Sequence, residues 1–207
     1  MPDFSCEDGC PAPVAGIDEV GRGPWAGPVM AAAVVIDRAR TPADLIAALD
    51  DSKKLSPKRR EAISARLLAC PGIAWALGEA SVAEIDRLNI LQATFLAMRR
   101  AVASLPFPPE YALIDGNKVP PGLPCPASAV VKGDGKSASI AAASIIAKVH
   151  RDRIMLGLDA QFPNYGWCHN AGYGTPDHLA GLLTSGVTEH HRKSFAPIRK
   201  LLTPNNS

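Results

Sequence analysis

The chain has 207 residues, 47% of them hydrophobic, with 22 basic against 20 acidic side chains and a net charge of +2. That composition suffices for one domain with a real core, and the charge balance neither demands nor excludes a nucleic-acid partner. No secretory signal or run of about 20 apolar residues is present, and the five cysteines form neither a disulfide framework nor paired zinc knuckles, so a cytoplasmic protein is expected.

Residues 1–13, rich in Pro, Gly and Asp, read as a flexible tail. "VAGID" is a short strand. "GPVMAAAVVI" (27–36) is a longer one, bounded by Gly-Pro and expected to pair with the first. "SPKRREAISARLLA" is a helix with Ser56 as N-cap and Pro57 at its first position. "GIAWALGEA" (72–80) is a third strand. The segment from Ser81 to Leu105 reads as a single helix. Ser81 and Glu84 form a capping box, and Ile85, Leu88, Leu91, Phe95, Met98 and Val102 make one core-facing stripe. "YALID" (111–115) and "ASAVVKGD" (127–134) are strand-like runs that end on carboxylates. "SASIAAASIIAKVHRDRIM" is a helix whose small side chains allow close approach to its neighbours. From about residue 157 the chain reads as loop and short helix. With no repeat and no linker, this order predicts an α/β mixed sheet with helices packed on it.

Three apolar runs end on acids: Asp18-Glu19, Asp115 and Asp134. Each alone is ordinary turn chemistry. Together they suggest a carboxylate cluster beyond the strand ends, and such a cluster is strongly repulsive unless cations neutralise it. All-oxygen ligation suits Mg²⁺ or Mn²⁺, not zinc, and two such ions can activate water and stabilise the leaving oxygen of a phosphodiester. Neighbours on a regular strand point to opposite faces. Asp18 and Glu19 are therefore expected to share a site only if the strand breaks, a break that Gly21 and Gly23 make plausible. Lys53, Lys54, Arg192 and Lys193 read equally as phosphate contacts or as solvated charges. Asp152, four residues after Lys148, reads as half of a structural ion pair more than as a fifth site acid. His169, His178, His190 and His191 read as packing or surface residues.

The blocks "AGIDEVGRGPWAGPV", "DSKKLS", "LIDGN", "VVKGDGKSASIAAASIIAKVHRDR", "GYGTPDH" and "HRKSFAPIR" resemble, in order, the signature blocks of bacterial ribonuclease HII. The resemblance implies a ribonuclease-H-like fold: a mixed, roughly five-stranded sheet flanked by helices, with a helical C-terminal part, over residues 14–202. It implies hydrolysis of the RNA strand of RNA–DNA hybrids and cutting 5′ to a single ribonucleotide in duplex DNA, leaving a 3′-hydroxyl and a 5′-phosphate. Asp18, Glu19, Asp115 and Asp134 match the family's metal-holding carboxylates, with two Mg²⁺ or Mn²⁺ ions implied. Gly21, Arg22 and Gly23 match the turn that recognises the 2′-hydroxyl, and Tyr173 matches the tyrosine that contacts it and packs on the next deoxyribose. Lys53 and Lys54 are expected to contact substrate, and the protein to act as a monomer without a membrane. A related junction-resolving nuclease and a non-catalytic nucleic-acid-binding module are the alternatives. The C-terminal "LLTPNNS" matches no clamp-binding motif clearly.

Overall fold

A computed structural model describes residues 1–203; residues 204–207, the end of the "LLTPNNS" segment, lie outside the described residues. The chain begins its sheet with β1 (Val14–Val20) and β2 (Val29–Ile36), paired antiparallel from Ala15↔Val35 to Val20↔Met30. β3 (Ile73–Ala80) adds antiparallel to β2. β4 (Tyr111–Asp115) lies parallel to β1, and β5 (Ala127–Val130) parallel to β4. The order is β3-β2-β1-β4-β5, a mixed five-stranded sheet.

Strand alternation sorts the side chains between two cores. Ala15, Ile17, Ala31, Ala33 and Val35 face α4 (Ile90–Ala103), which follows α3 (Val82–Leu88). Ala32 and Val34 face α2 (Pro57–Ala69) and α5 (Ala138–Gln161), with the short α1 (Ala43–Ala47) beside them. The alanine-rich helix comes closest to the sheet at Gly16, where a Cβ would overlap the Ser139 backbone. At the C-terminal end, α6 (Trp167–Asn170), α7 (Pro176–Ser185) and α8 (Ala196–Leu202) build a third core from Ala26, Met155, Tyr165, Trp167, Leu182 and Ile198. No described helix is long and apolar enough to cross a membrane.

Four expectations are corrected. The helix read from Ser81 to Leu105 breaks at Asn89, whose φ is 71°. Asn89 ends α3 and caps α4, accepting from the Leu91 and Gln92 amides at 3.0 and 3.1 Å; asparagine tolerates this left-handed geometry, and the apolar stripe continues across the break. The β1 ladder does not break after Asp18-Glu19. It runs to Val20, so the turn begins only at Gly21, with φ +92°. β5 ends at Val130, and Asp134 sits four residues later in a 3₁₀ turn, Gly133–Gly135. Residues 1–13, expected as a loose tail, are packed in this structure. Glu7 is buried, and its Oε1 accepts from Ser137 Oγ, the Ser139 amide and Ser139 Oγ at 2.7–3.0 Å. A carboxylate at a helix start is favoured by the free amides there, a tertiary pairing that local composition does not display.

Candidate active site

Two faces of one strand feed the site. Asp18 lies on the α5 side of β1, only 7% exposed, its Oδ1 accepting from the Glu19 amide at 2.7 Å, with Ser144 of α5 beside its carboxyl. Ser144 in turn bonds Ser52 at 2.9 Å. Arg60 holds the same loop by donating to the Ser52 carbonyl and, at 3.3 Å, to that of Leu55. The "DSKKL" segment is thus fastened to the helix behind Asp18. Glu19 points to the α4 side and accepts from Arg22 at 3.2 Å.

Asp115 arrives from the neighbouring strand. The parallel register Ile17↔Ile114 sets it beside Asp18, one residue on. Its Oδ1 accepts from the Gly133 amide at 2.6 Å, which pins the turn carrying Asp134. Burial first, then the charges of Glu19 and Asp115, push the Asp18 carboxyl well above the usual range. Burial also raises Asp134, with Asp115 and Asp51 adding to it. Glu19 is raised by burial, an effect that Arg22 opposes and Asp115 reinforces. Among the described residues no three His, Cys, Asp or Glu side chains close into a ready-made ligand set. The acids instead stand around the C-terminal ends of β1 and β4, two interior strands.

Two clefts meet at Asp115. One of about 580 Å³ is lined by Asp51, Lys53, Lys54, Lys132, Asp134 and Lys136 as well. The other, about 380 Å³, is lined by Glu19, Arg22, Leu91, Phe95, Met98 and Asn117. A separate cavity of about 580 Å³, lined by Phe4, Glu7, Val14, Ile36 and Phe107, opens at the far end of β1 and holds none of these acids.

The Gly21-Arg22-Gly23 turn rests on two buried guanidiniums. Arg192 donates to the carbonyls of Gly21 at 2.5 Å, Gly27 at 2.9 Å, Arg22 at 3.0 Å and Pro28 at 3.1 Å. Arg151 donates to Ala171, Pro28 and Ala26 at 2.9–3.1 Å. Burial lowers both from the usual arginine value, Arg192 to about 9 and Arg151 to about 10. Arg192, fully buried, is therefore a backbone anchor and not an exposed phosphate contact. Tyr173 is half exposed on the facing loop, its ring 3.2 Å from where a Cβ on Gly23 would stand. Asp152 pairs with Lys148 at 2.6 Å, as its spacing suggests. His178 and His191 are buried and mutually bonded, while His169 is exposed. The sequence reading missed Ser144 and the anchoring work of Arg151 and Arg192. A buried arginine and a solvated one look alike in a string of letters.

A five-stranded mixed sheet with carboxylates at the end of β1, at its parallel neighbour and in the following turn defines a ribonuclease-H-like nuclease. Comparison with known proteins then gives the family. Residues 15–198 match the family model described as ribonuclease HII. The chain is 63% identical over 202 residues to ribonuclease HII of Rhodospirillum rubrum, covering 98% of this chain and 92% of that one. It is 59% identical over 201 residues to ribonuclease HII of a Jannaschia species, covering 97% and 98%. The crystal structure of ribonuclease H2 from Pyrococcus horikoshii superposes with a TM-score of 0.75 at 29% identity, covering 91% of this chain and 96% of that one. The chain belongs to the ribonuclease HII family. It is a metal-dependent endoribonuclease acting on the RNA strand of RNA–DNA hybrids.

Proposed function

We propose that Asp18, Glu19, Asp115 and Asp134 together hold two divalent cations, Mg²⁺ or Mn²⁺, and that the enzyme also cuts 5′ to a single ribonucleotide in duplex DNA. The observation that carries this reading is the crowding of Asp18, Glu19, Asp115 and Asp134 at the C-terminal ends of β1 and β4 and the turn beyond, where burial and neighbouring acids oppose the ionisation of Asp18, Glu19 and Asp134. An oxygen-only donor set of this kind fits Mg²⁺ or Mn²⁺, and cations remove the repulsion. When bound, such ions supply an activated water and neutralise charge developing on the phosphate. Asp18 is oriented by the Glu19 amide, and Asp115 by the Gly133 amide, so both carboxylates are aimed before substrate arrives. Arg22 occupies only Oε1 of Glu19, at 3.2 Å, so the other carboxylate oxygen of Glu19 is left to join them.

Recognition falls to the groups on the far side of these strand ends. The amides of the Gly21-Arg22-Gly23 turn and the Tyr173 hydroxyl reach the 2′-hydroxyl, the one local group that separates ribose from deoxyribose. The Tyr173 ring covers the next deoxyribose. Lys53 and Lys54 line the cleft beside Asp115 and Asp134, a position suited to phosphate contacts. Residues 14–202 work as one catalytic unit, as a monomer in the cytoplasm. The test is incubation of the purified protein, with Mg²⁺ and with chelator, on a DNA duplex carrying one ribonucleotide. A single nick 5′ to the ribose, ending in a 3′-hydroxyl and lost in chelator, is expected. Cleavage confined to continuous hybrids would remove the single-ribonucleotide reading.

A further inference from the structure

The proposed junction reader is split between distant parts of the chain. The glycine turn follows β1, and Tyr173 precedes α7, yet the two stand in contact across Gly23. Between them runs the segment His190–Arg192. His191 and Arg192 are both fully buried, and consecutive side chains reach opposite halves.

Arg192 acts on the turn through its carbonyls. In a trans peptide the C=O of one residue and the N–H of the next point in opposite directions. Arg192 draws the Gly21 and Arg22 carbonyls inward, at 2.5 and 3.0 Å. The amides of Arg22 and Gly23 are thereby turned outward. Neither has an acceptor among the described residues, which leaves both free for a ligand oxygen.

His191 acts on Tyr173 through His178. The Thr188 amide and hydroxyl both donate to His191 Nδ1, at 3.0 and 2.9 Å. That nitrogen is bare, so His191 carries its proton on Nε2 and donates to His178 Nε2 at 3.0 Å. Trp167 Nε1 donates to the same His178 nitrogen at 3.1 Å. His178 must then carry its proton on Nδ1, and it donates to the Tyr173 carbonyl at 2.9 Å. Both tautomers follow from the pattern of donors, with the single lone pair of His191 Nδ1 and that of His178 Nε2 each shared between two donors. The backbone ties the same pieces together: Arg192 N–H donates to the Trp25 carbonyl at 2.8 Å, and Trp25 N–H to that of Gly172 at 2.8 Å.

We propose that the His191–Arg192 dipeptide is the positioning device of the junction reader, with Arg192 aiming the turn's amides and His191, through His178, setting Tyr173 against them. This rests on the reading of the turn and Tyr173 given above. The test measures affinity for a DNA duplex with one ribonucleotide and for the same duplex in all-DNA form, with Ca²⁺ in place of the catalytic ion. The readout is the ratio of the two dissociation constants, which a merely structural defect would leave unchanged. Arg192→Lys keeps the charge and loses the fork; His178→Phe keeps a ring and loses the donor. Each is expected to reduce the preference for the ribonucleotide by about tenfold, the scale of one buried hydrogen bond to an aimed group. His178→Asn, whose amide N–H stands near the Nδ1 position, should restore most of it, and it keeps the test open if Arg192→Lys fails to fold. Tyr173→Ala is the reference. If it loses the preference while Arg192→Lys and His178→Phe keep it, the positioning role is overturned. Equal weakening on both duplexes overturns it too. If Tyr173→Ala itself keeps the preference, the reading of Tyr173 fails, and with it this proposal.

Discussion

Asp18 is the residue on which charge, burial and chemistry bear most directly. Its folded carboxyl is raised above its unfolded value by burial and by Glu19 and Asp115. Between those two values the folded state binds more protons than the unfolded one, so metal-free stability falls as pH rises through that window. Asp18→Asn removes this penalty. In chelator at neutral pH its melting temperature should exceed that of wild type, and the difference should shrink as pH falls and vanish below about 3, where the carboxyl is protonated in both states. Thermal melts across pH would check this, and a lower melting temperature throughout would mark Asp18 as a structural residue. Turnover by the same variant, and by Asp134→Asn, should fall by more than the roughly 10–100-fold typical of losing a group behind a metal ligand. Tyr173 gives the second prediction at this scale. Tyr173→Ala should slow cleavage at one embedded ribonucleotide far more than cleavage of a continuous hybrid. Tyr173→Phe should cost less, since one neutral hydrogen bond is worth about 0.5–1.5 kcal/mol. Single-turnover rates on the two substrates decide it, and equal slowing on both would end Tyr173's claim to sense the junction.

At the level of elements, the contact that sets the site is β1 against α5. Gly16, two residues before Asp18 on the same strand face, lets the helix sit against the backbone. This closeness brings Ser144 to Asp18 and, through Ser52, fastens the lysine-bearing loop. Gly16→Ala forces a Cβ into the Ser139 backbone, where no flexible side chain can yield. The expected cost is about 2–3 kcal/mol of stability, read as a lower urea midpoint with an unchanged slope. Activity should fall alongside, because α5 carries Ser144. The break at Asn89 shows the converse at the other helical layer. A continuous apolar stripe there spans two helices, since side-chain periodicity survives a one-residue change of backbone direction that a capping asparagine supports.

For the whole molecule, charge is nearly balanced, so attraction to a duplex depends on where the lysines stand and not on their number. Lys53, Lys54, Lys132 and Lys136 gather at the cleft that holds Asp115 and Asp134. Lys53→Ala and Lys54→Ala should weaken binding to all duplexes by a similar factor. Each should also make the plot of log affinity against log salt shallower by about one. Titrations at several salt concentrations test this, and unchanged slopes in both variants would return these lysines to the solvated surface.

The sequence by itself determined the strands and most helix starts, because a period of two and a capping serine are local signals, and it singled out the four acids because a carboxylate after an apolar run is one as well. Ser56, Ser81 and Pro57 stand where those signals put them. Only the tertiary structure decided what faces what. It put Asp18 and Glu19 on opposite sides of an unbroken strand, moved Asp134 out of the strand into a turn pinned by Asp115, and buried Glu7 at the start of α5. It also turned Arg192 from an apparent surface cation into an anchor for four carbonyls. The physical reason is common to all of these. Burial and hydrogen-bond partners come from residues far apart in the chain, such as Glu7 with Ser139 or Gly21 with Arg192, and no local pattern records a partner more than a hundred residues away.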